Sequence, residues 1–390
     1  MFFNNLNLHI ILWTLLLGVV FYDFISIKIS FTYIDELIAG ILFAYYLLIT
    51  KCKCKKDISL CILIFLFYLI YSIEKNVNVT AAIWTDFFIQ IKPFIAFYST
   101  YNIGINLTDK YKLYIKNICI IITIALIPVG VLGIDCIVSF MGHPSRYATT
   151  LTILGFLYIL CSEKTRKNTC IMFVIWAVGL LSMRSKIYGF YTISIFTFFF
   201  INKPLKYSFK TMITMIIGIV ITVCAVWGKF SFYFINSVIE AENMYARPYL
   251  YLNSFYILND YFPFGSGFGS YANYASSLYY SPIYYQYNMS DHPEIGNGYF
   301  ISDTFFPTLS QFGYVGVCLF FLFWYKIYQK ILLKYYLTKD IYNYKICILI
   351  IIFFFIESTV DSTFTHNRGM MMMMILAMFL VENDYKRVFN

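Results

Sequence analysis

The chain has 390 residues, of which 60% are hydrophobic and 13% are charged, and its mean hydropathy is +0.70. This composition excludes an ordinary soluble domain and a disordered chain, and it is typical of an integral membrane protein. The formal net charge is +9. We attribute this charge to membrane topology and contact with anionic lipid, and expect no nucleic-acid partner.

Apolar runs recur along the whole chain at about the 20 residues that an α-helix needs to cross a ~30 Å hydrocarbon layer. No alternating barrel pattern is present, which leaves helices as the spanning element. We predict an all-α, polytopic integral membrane protein with about 12 transmembrane helices and one long outer loop carrying short helices. The predicted spans are 7–22, 33–50, 58–73, 86–105, 117–134, 147–162, 168–183, 187–201, 211–228, 306–325, 345–357 and 369–382.

Lysine-rich connections alternate with lysine-poor ones along this series of spans. The positive-inside rule places the lysine-rich connections and both termini in the cytoplasm. The predicted division is therefore 1–229 (nine spans), 230–305 (the long outer loop) and 306–390 (three spans and a cytoplasmic C-terminus). The first apolar run has no small-residue cleavage site behind it and predicts a retained helix.

Four of the six arginines fall in the outer connections, namely Arg146, Arg184, Arg247 and Arg368. A guanidinium group is a planar, permanently charged fork that binds phosphate or carboxylate through two hydrogen bonds. This asymmetry predicts a site for an anion at the outer surface. Arg184 and Lys186 lie in a minimal turn between two spans, where two cations near lipid require an anionic partner, either a substrate or a lipid phosphate.

The long outer loop combines tyrosines with charged side chains. Tyrosine rings stack on sugars, and they also lie well at a lipid interface, so both interpretations stay open. Arg247-Pro248 begins an apolar stretch that predicts a short helix, whose positive end suits a phosphate. The glycine-rich segment from Pro263 to Tyr271 predicts a tight turn, since it lacks the strand context of a nucleotide loop.

Asp86, Gln90 and Lys92 lie in the fourth predicted span. An ionisable group in lipid is a functional candidate, although Lys92 could instead extend outward to the interface. Histidines and cysteines lack metal-ligand spacing, and most cysteines fall in spans or in an inner loop. We therefore expect neither a metal site nor a disulfide framework, and no cofactor. The five methionines Met370 to Met374 predict lipid-facing or packing side chains.

The order of several motifs resembles the bacterial O-antigen polymerase and O-antigen ligase superfamily. These motifs are Arg184-Ser-Lys at a span end, Arg247-Pro-Tyr-Leu opening a long late loop, Pro263-Phe-Gly-Ser-Gly-Phe-Gly269, His292, and Ser310-Gln-Phe-Gly-Tyr-Val-Gly316. The resemblance covers the topology of the whole chain and the motifs over roughly residues 180–320.

The resemblance implies a glycosyltransferase of the bacterial inner membrane that uses undecaprenyl-diphosphate-linked oligosaccharide at its outer, periplasmic face. The implied partners are this lipid-linked glycan, membrane lipid and a chain-length regulator protein. Arg184 and Arg247 match the family's arginines and would hold the diphosphate, with Lys186, Arg146, Arg368 and Lys92 as further candidate cations. His292 matches the loop histidine and is the candidate general base, with Glu294, Asp291 and Asp303 as rivals.

Two other functions remain open from the sequence. An O-antigen ligase, which transfers a finished glycan to lipid A core, has the same architecture as the polymerase. A lipid-linked-oligosaccharide flippase or another transporter also has about twelve spans. Transporters place polar groups near the bilayer midplane and are commonly built from repeated halves. Here no repeat of the first half is found in the second, and charge gathers at one surface, which favours the enzyme.

Overall fold

The computed structural model describes residues 2–29, 33–204, 231, 245–296 and 304–381. Within these residues all of the regular secondary structure is helical. Helices coincide with every predicted span except 211–228, which lies outside the described residues. The all-α prediction is therefore confirmed for this part of the chain.

The first ten helices, with one π-helical segment (Leu16–Val20) after the first, form the N-terminal part. They are α1 Phe2–Leu15, α2 Tyr22–Ile29, α3 Ile34–Ile49, α4 Lys56–Lys75, α5 Thr80–Ile103, α6 Asp109–Val131, α7 Ile134–Met141, α8 Pro144–Leu160, α9 Arg166–Gly179 and α10 Ser185–Phe200. The remaining helices are α11 Ala246–Asp260, α12 Tyr274–Leu278, α13 Pro282–Gln286, α14 Phe305–Thr308, α15 Gly313–Thr338, α16 Ile341–Ser358 and α17 Asn367–Leu380.

Four helical segments of the described chain are long and apolar enough to cross a membrane, judged by length and composition. They are Lys56–Lys75, Asp109–Val131, Phe305–Thr338 and Ile341–Ser358. Some helices at predicted spans are shorter: α9 and α17 have 14 residues each, which at ~1.5 Å per residue is about 21 Å. The architecture is consistent with a helical membrane protein, and the number of twelve spans stays a prediction.

The centre of the main core is α17, which packs against α5, α8 and α16. Its methionines Met370 to Met374 are at most 1% exposed. Of the two interpretations of this run, packing is correct and exposure to lipid is not. Unbranched, polarizable side chains fill the irregular spaces between crossing helices, which explains why methionine can recur at five successive positions.

The ends of these helices form two contrasting surfaces. At one end, Lys164 pairs with Asp340, Lys330 pairs with Asp57, and Lys334 donates to the Phe379 carbonyl. We call this the lysine-rich end. The opposite end carries Arg146, Arg184, Arg247 and Arg368, each at or beside the start of a helix, and we call it the arginine-rich end. The lysine connections predicted to share one side thus meet at one end of the structure.

Residues 246–295 have a separate hydrophobic core beside the arginine-rich end. Tyr271 and Tyr284 are fully buried in it. The Tyr271 hydroxyl donates to the Leu250 carbonyl at 2.7 Å, and the Tyr284 hydroxyl accepts from the Ala272 N–H at 2.9 Å. These two rings therefore hold the loop together, a role beyond the sugar stacking and interfacial belt considered from the sequence.

Candidate functional site

Lys186 is held between two carboxylates near the start of α10. Its Nζ lies 2.6 Å from Glu357 Oε2 and 2.9 Å from Asp361 Oδ2. Glu357 is the penultimate residue of α16, and Asp361 lies in the turn, residues 359–366, that joins α16 to α17. The anionic partner expected for Lys186 is therefore part of the protein itself.

Asp361 forms the polar centre of this turn. Burial alone would raise the pKa of its carboxyl group, but the charges of Lys186 and His366 and the Lys186 hydrogen bond bring that pKa below its usual value. Asp361 is consequently ionised near neutral pH. The Lys186 charge is thus balanced within the cluster and adds little net positive charge for an external anion.

Arg184 is the N-terminal flanking residue of α10, and its guanidinium meets His143 on the neighbouring connection. Arg184 Nη2 lies 3.1 Å from His143 Nε2, while the Ser145 N–H donates to His143 Nδ1 at 3.2 Å. Burial and the Arg184 charge lower the pKa of His143 to about 4. The imidazole is therefore neutral near pH 7 and leaves the positive charge on Arg184.

Arg247 reaches the same α16–α17 turn from the long loop. It occupies the second position of α11, and its Nε donates to the Val360 carbonyl at 3.0 Å. The Tyr251 hydroxyl, one helical turn later, donates to the Thr359 carbonyl at 2.9 Å. Arg184 lies two residues before Lys186, which contacts Asp361, and Arg247 bonds to Val360, so both partly exposed arginines lie near this turn although they are more than sixty residues apart in the sequence.

Arg146 and Arg368 share the carboxylate of Asp23. Arg146 is partly exposed and pairs with Asp23 Oδ1, and Arg368 Nη2 lies 3.3 Å from Asp23 Oδ2. Arg368 is only 5% exposed, and it also donates to Thr150 Oγ1 and the Val19 carbonyl. Arg146 is therefore accessible to an external anion, whereas the predicted contact of Arg368 with a phosphate would require this cluster to open.

Lys92 is 4% exposed and pairs with Asp35 and Glu36 in the first turn of α3, with Nζ 2.8 Å from Glu36 Oε1. The side chain is buried in this pairing and does not reach the interface, which was the alternative considered from the sequence. Because Lys92 is already paired with two carboxylates, the structure does not group it with Arg184 and Arg247 as a contact for a diphosphate. The acidic residues Asp35 and Glu36 open a predicted span, and that position could have identified them as its partners.

The candidate bases of the long loop surround the start of α11. Glu294 Oε2 accepts the backbone N–H of Ala246 at 2.8 Å, so this carboxylate occupies part of the helix end where a phosphate was expected. The His292 ring stacks on Tyr249 with centroids 5.3 Å apart, and its Nδ1 accepts the Glu294 N–H at 3.1 Å. In neutral His292 this bond places the proton on Nε2. Asp291 is exposed, and Asp303 lies outside the described residues.

The glycine-rich turn fixes the end of α11 to the helices. Gly267 and Gly269 have φ of +92° and +68°, and a Cβ at these positions would lie 2.8 Å from Ser72 Oγ and 2.7 Å from the Ala82 carbonyl oxygen. Only glycine fits this close approach. The prediction of a tight turn is confirmed, and it packs directly onto α4 and α5.

Buried Asp86 anchors this turn, a role that the sequence did not indicate. Its Oδ2 accepts from the Gly269 N–H at 2.8 Å, Gln311 Nε2 at 2.8 Å and Asn273 Nδ2 at 3.2 Å. Gln90 Nε2 donates to the other oxygen at 3.1 Å. A buried carboxylate with amide donors on all these sides is satisfied without a ligand. Asp86 therefore positions the turn and, through it, α11 and Arg247.

Comparisons with protein-family models, with curated proteins and with solved structures give no match for this chain. What the site can bind or catalyse is therefore inferred from its side chains alone. It offers exposed guanidinium groups with neighbouring imidazole and carboxylate groups, a combination that can bind an anion and transfer a proton.

Proposed function

We propose that the chain is a membrane-embedded glycosyltransferase of the O-antigen polymerase type, acting at the outer face of the bacterial inner membrane. It would move a growing glycan from undecaprenyl diphosphate onto a new lipid-linked repeat unit. The observation that supports this proposal is that Arg247 and the segment carrying Arg184 both meet the α16–α17 turn. Two partly exposed guanidinium groups in this arrangement suit a diphosphate.

In the proposed reaction, the anomeric carbon of the donor glycan loses its bond to the diphosphate oxygen. A hydroxyl oxygen of the acceptor sugar forms the new bond to that carbon and gives its proton to a base. Undecaprenyl diphosphate leaves with the bonding electron pair, and Arg184 and Arg247 stabilise the negative charge that develops on it. His292 is the proposed base, with Glu294 and Asp303 as alternatives. His292 would accept the proton at Nδ1 once its bond from the Glu294 N–H is released.

The test compares Arg184→Ala and Arg247→Ala with Arg166→Ala, whose arginine is exposed at the start of α9. Purified protein is given a lipid-linked donor and acceptor, and the length of the glycan product is measured. We expect each of the first two variants to lose chain extension while folding normally, and the control to retain it. Lysine at either position should restore part of the rate, because it keeps the charge but not the planar fork. Normal extension by both alanine variants would contradict the proposal.

Deletion of the gene separates the polymerase from its relatives. Loss of the polysaccharide ladder with a single repeat unit left on lipid A core supports a polymerase. Complete loss of decorated lipid A would indicate a ligase, and accumulation of repeat units on the cytoplasmic side would indicate a flippase.

A further inference from the structure

An apolar cavity of about 160 Å³ lies between α4, α5 and α15. Its walls are mainly aliphatic and aromatic, with Gln90 on one wall and the charged side chains Asp57, Lys326 and Lys330 at one end. Apolar cavities of about 150 Å³ are known to accept a small apolar ligand. The cavity is therefore suited to a hydrocarbon segment.

The cavity runs along the helices. On α4 its lining extends from Asp57 at the lysine-rich end to Tyr68, eleven residues later. At ~1.5 Å per residue this is about 16 Å, close to the ~15 Å half-thickness of a bilayer's hydrocarbon layer. The length matches a lipid chain from one leaflet, the leaflet at the lysine-rich end.

The side of the cavity is open. Leu60 of α4 and Leu322 of α15 both line it and are 48% and 46% exposed. These two residues belong to helical segments that are apolar and long enough to cross a membrane. A chain can consequently enter sideways from surrounding lipid, without passing through water.

The end of the cavity is positively charged. Lys326 and Lys330 line it together with Asp57, and Lys330 Nζ lies 3.0 Å from Asp57 Oδ2 and 4.6 Å from the centre of the Tyr101 ring. Two lysines against one aspartate leave one net positive charge. The exposed Lys55 and Lys56 at the start of α4 add to it. This end is complementary to an anionic headgroup.

The opposite end of the cavity is closed by Phe268, which belongs to the glycine-rich turn. Phe268 is 1% exposed, and its backbone N–H donates to Ser72 Oγ at 2.8 Å. A chain that fills the cavity would therefore end against the segment that holds α11 in place.

We propose that this cavity binds one acyl chain of an anionic phospholipid from the leaflet at the lysine-rich end, with the headgroup phosphate on Lys326 and Lys330. The site rests on the membrane placement in the proposed function, but not on its transferase chemistry. The end of the bound chain would pack against Phe268 and so stabilise the glycine-rich turn. Each lysine is expected to contribute about fivefold to the preference for an anionic over a zwitterionic lipid.

The first test measures occupancy of the cavity. Delipidated protein is titrated with phosphatidylglycerol, and the lipids that remain bound are counted by native mass spectrometry. Ile64→Trp fills the cavity from α4, and Leu63→Trp places the same ring on the neighbouring residue, which is 65% exposed and outside the lining. We expect Ile64→Trp to lose a tightly bound lipid and Leu63→Trp to keep it. Leu319→Trp fills the cavity from α15 and replaces Ile64→Trp if that variant does not fold. Retention of the lipid in a folded cavity-filling variant would overturn the proposal.

The second test measures headgroup selectivity by competition between phosphatidylglycerol and phosphatidylcholine. Lys326→Gln with Lys330→Gln should reduce the preference for phosphatidylglycerol by about 25-fold. Lys112→Gln is the matched control, because Lys112 also pairs with an aspartate, Asp109, at an exposed position. Equal binding of both lipids by the unmodified protein would overturn the proposal. Lipid retention is measured without glycan substrate, so a failure of the transferase assay leaves this result unaffected.

Discussion

The two ends of the helical bundle use ion pairs in opposite ways. At the lysine-rich end the paired side chains remain in contact with solvent, as in Lys112–Asp109, with side-chain exposures of 43% and 101%. At the arginine-rich end each described pair has at least one buried partner, and in Lys186–Glu357 both are buried, with exposures of 8% and 1%. The charges at the lysine-rich end are explained by the positive-inside rule, whereas those at the arginine-rich end form a cluster of largely buried ion pairs.

This difference determines what each end can do. Exposed pairs gain little from each other and are weakened by salt. Enclosed pairs hold their elements in one arrangement, because separating them leaves a charge without a partner in a poorly solvated environment. The enclosed carboxylates Asp23, Glu357 and Asp361 neutralise part of the arginine-rich end. Arg184 and Arg247, at the rim of this cluster, are thereby left as the cations best placed for a ligand.

The largest expected effect comes from breaking an enclosed pair. Lys186→Met should lower the free energy of unfolding by about 3–5 kcal/mol, because it leaves Glu357 buried without its counter-charge. Lys112→Met, the exposed control, should cost at most about 1 kcal/mol. Both values are measured by denaturant titration of the purified protein in mild detergent. The double variant Lys186→Met with Glu357→Gln should recover part of the loss. Equal small losses for both lysines would contradict the contrast between the two ends.

A smaller effect is expected where the long loop meets the arginine-rich end. Glu294→Ala removes the acceptor of the Ala246 N–H at the start of α11 and should cost about 1 kcal/mol. Glu294→Gln keeps an acceptor oxygen and should cost less. Asp291→Ala, at an exposed neighbouring position, serves as the control for unfolding. A loss of glycan transfer in Glu294→Gln without a loss of stability would show that Glu294 acts as a base.

Much of the fold could be predicted from the sequence, because hydrophobic run length and lysine alternation are local signals. The edges of α3 and α10 differ from the predicted spans by only a few residues. The short helix begun by Arg247-Pro248 was likewise predicted, since proline in the first helical turn is a local signal.

The pairing of charges could not be predicted in the same way. Lys186 meets Glu357 across 171 residues and Arg368 meets Asp23 across 345, so nothing in the local sequence joins them. The sequence indicated the cations, whose type and position are unusual, and missed the carboxylates that enclose them. Asp86 shows the converse: an ionisable group in a predicted span suggested chemistry, but three of its donors, Gly269, Asn273 and Gln311, lie about two hundred residues away in the sequence.

The smallest expected effect concerns His143, whose ring contacts the guanidinium group of Arg184. Its pKa is lowered from the ordinary 6.5 to about 4 by burial and by Arg184, so the unfolded chain binds a proton between these values while the folded protein does not. Stability should therefore fall as the pH decreases from about 6.5 toward 4. The charged groups acting on His143 are Arg184, Asp361, Lys186 and Arg146. Asp361, whose pKa is lowered from 3.8, loses its contribution only below this range.

His143→Gln keeps a polar side chain without a titrating ring, and it should make the decrease in stability between pH 6.5 and 4 shallower than in the unmodified protein. Unfolding curves at half-unit pH intervals measure this difference, with His9→Gln as the control because His9 is exposed on α1. Parallel curves for the unmodified protein and His143→Gln would mean that His143 takes up its proton in the folded state as readily as in the unfolded one. The Arg184 guanidinium would then tolerate a second positive charge beside it, and the assignment of a neutral imidazole to His143 near pH 7 would be wrong.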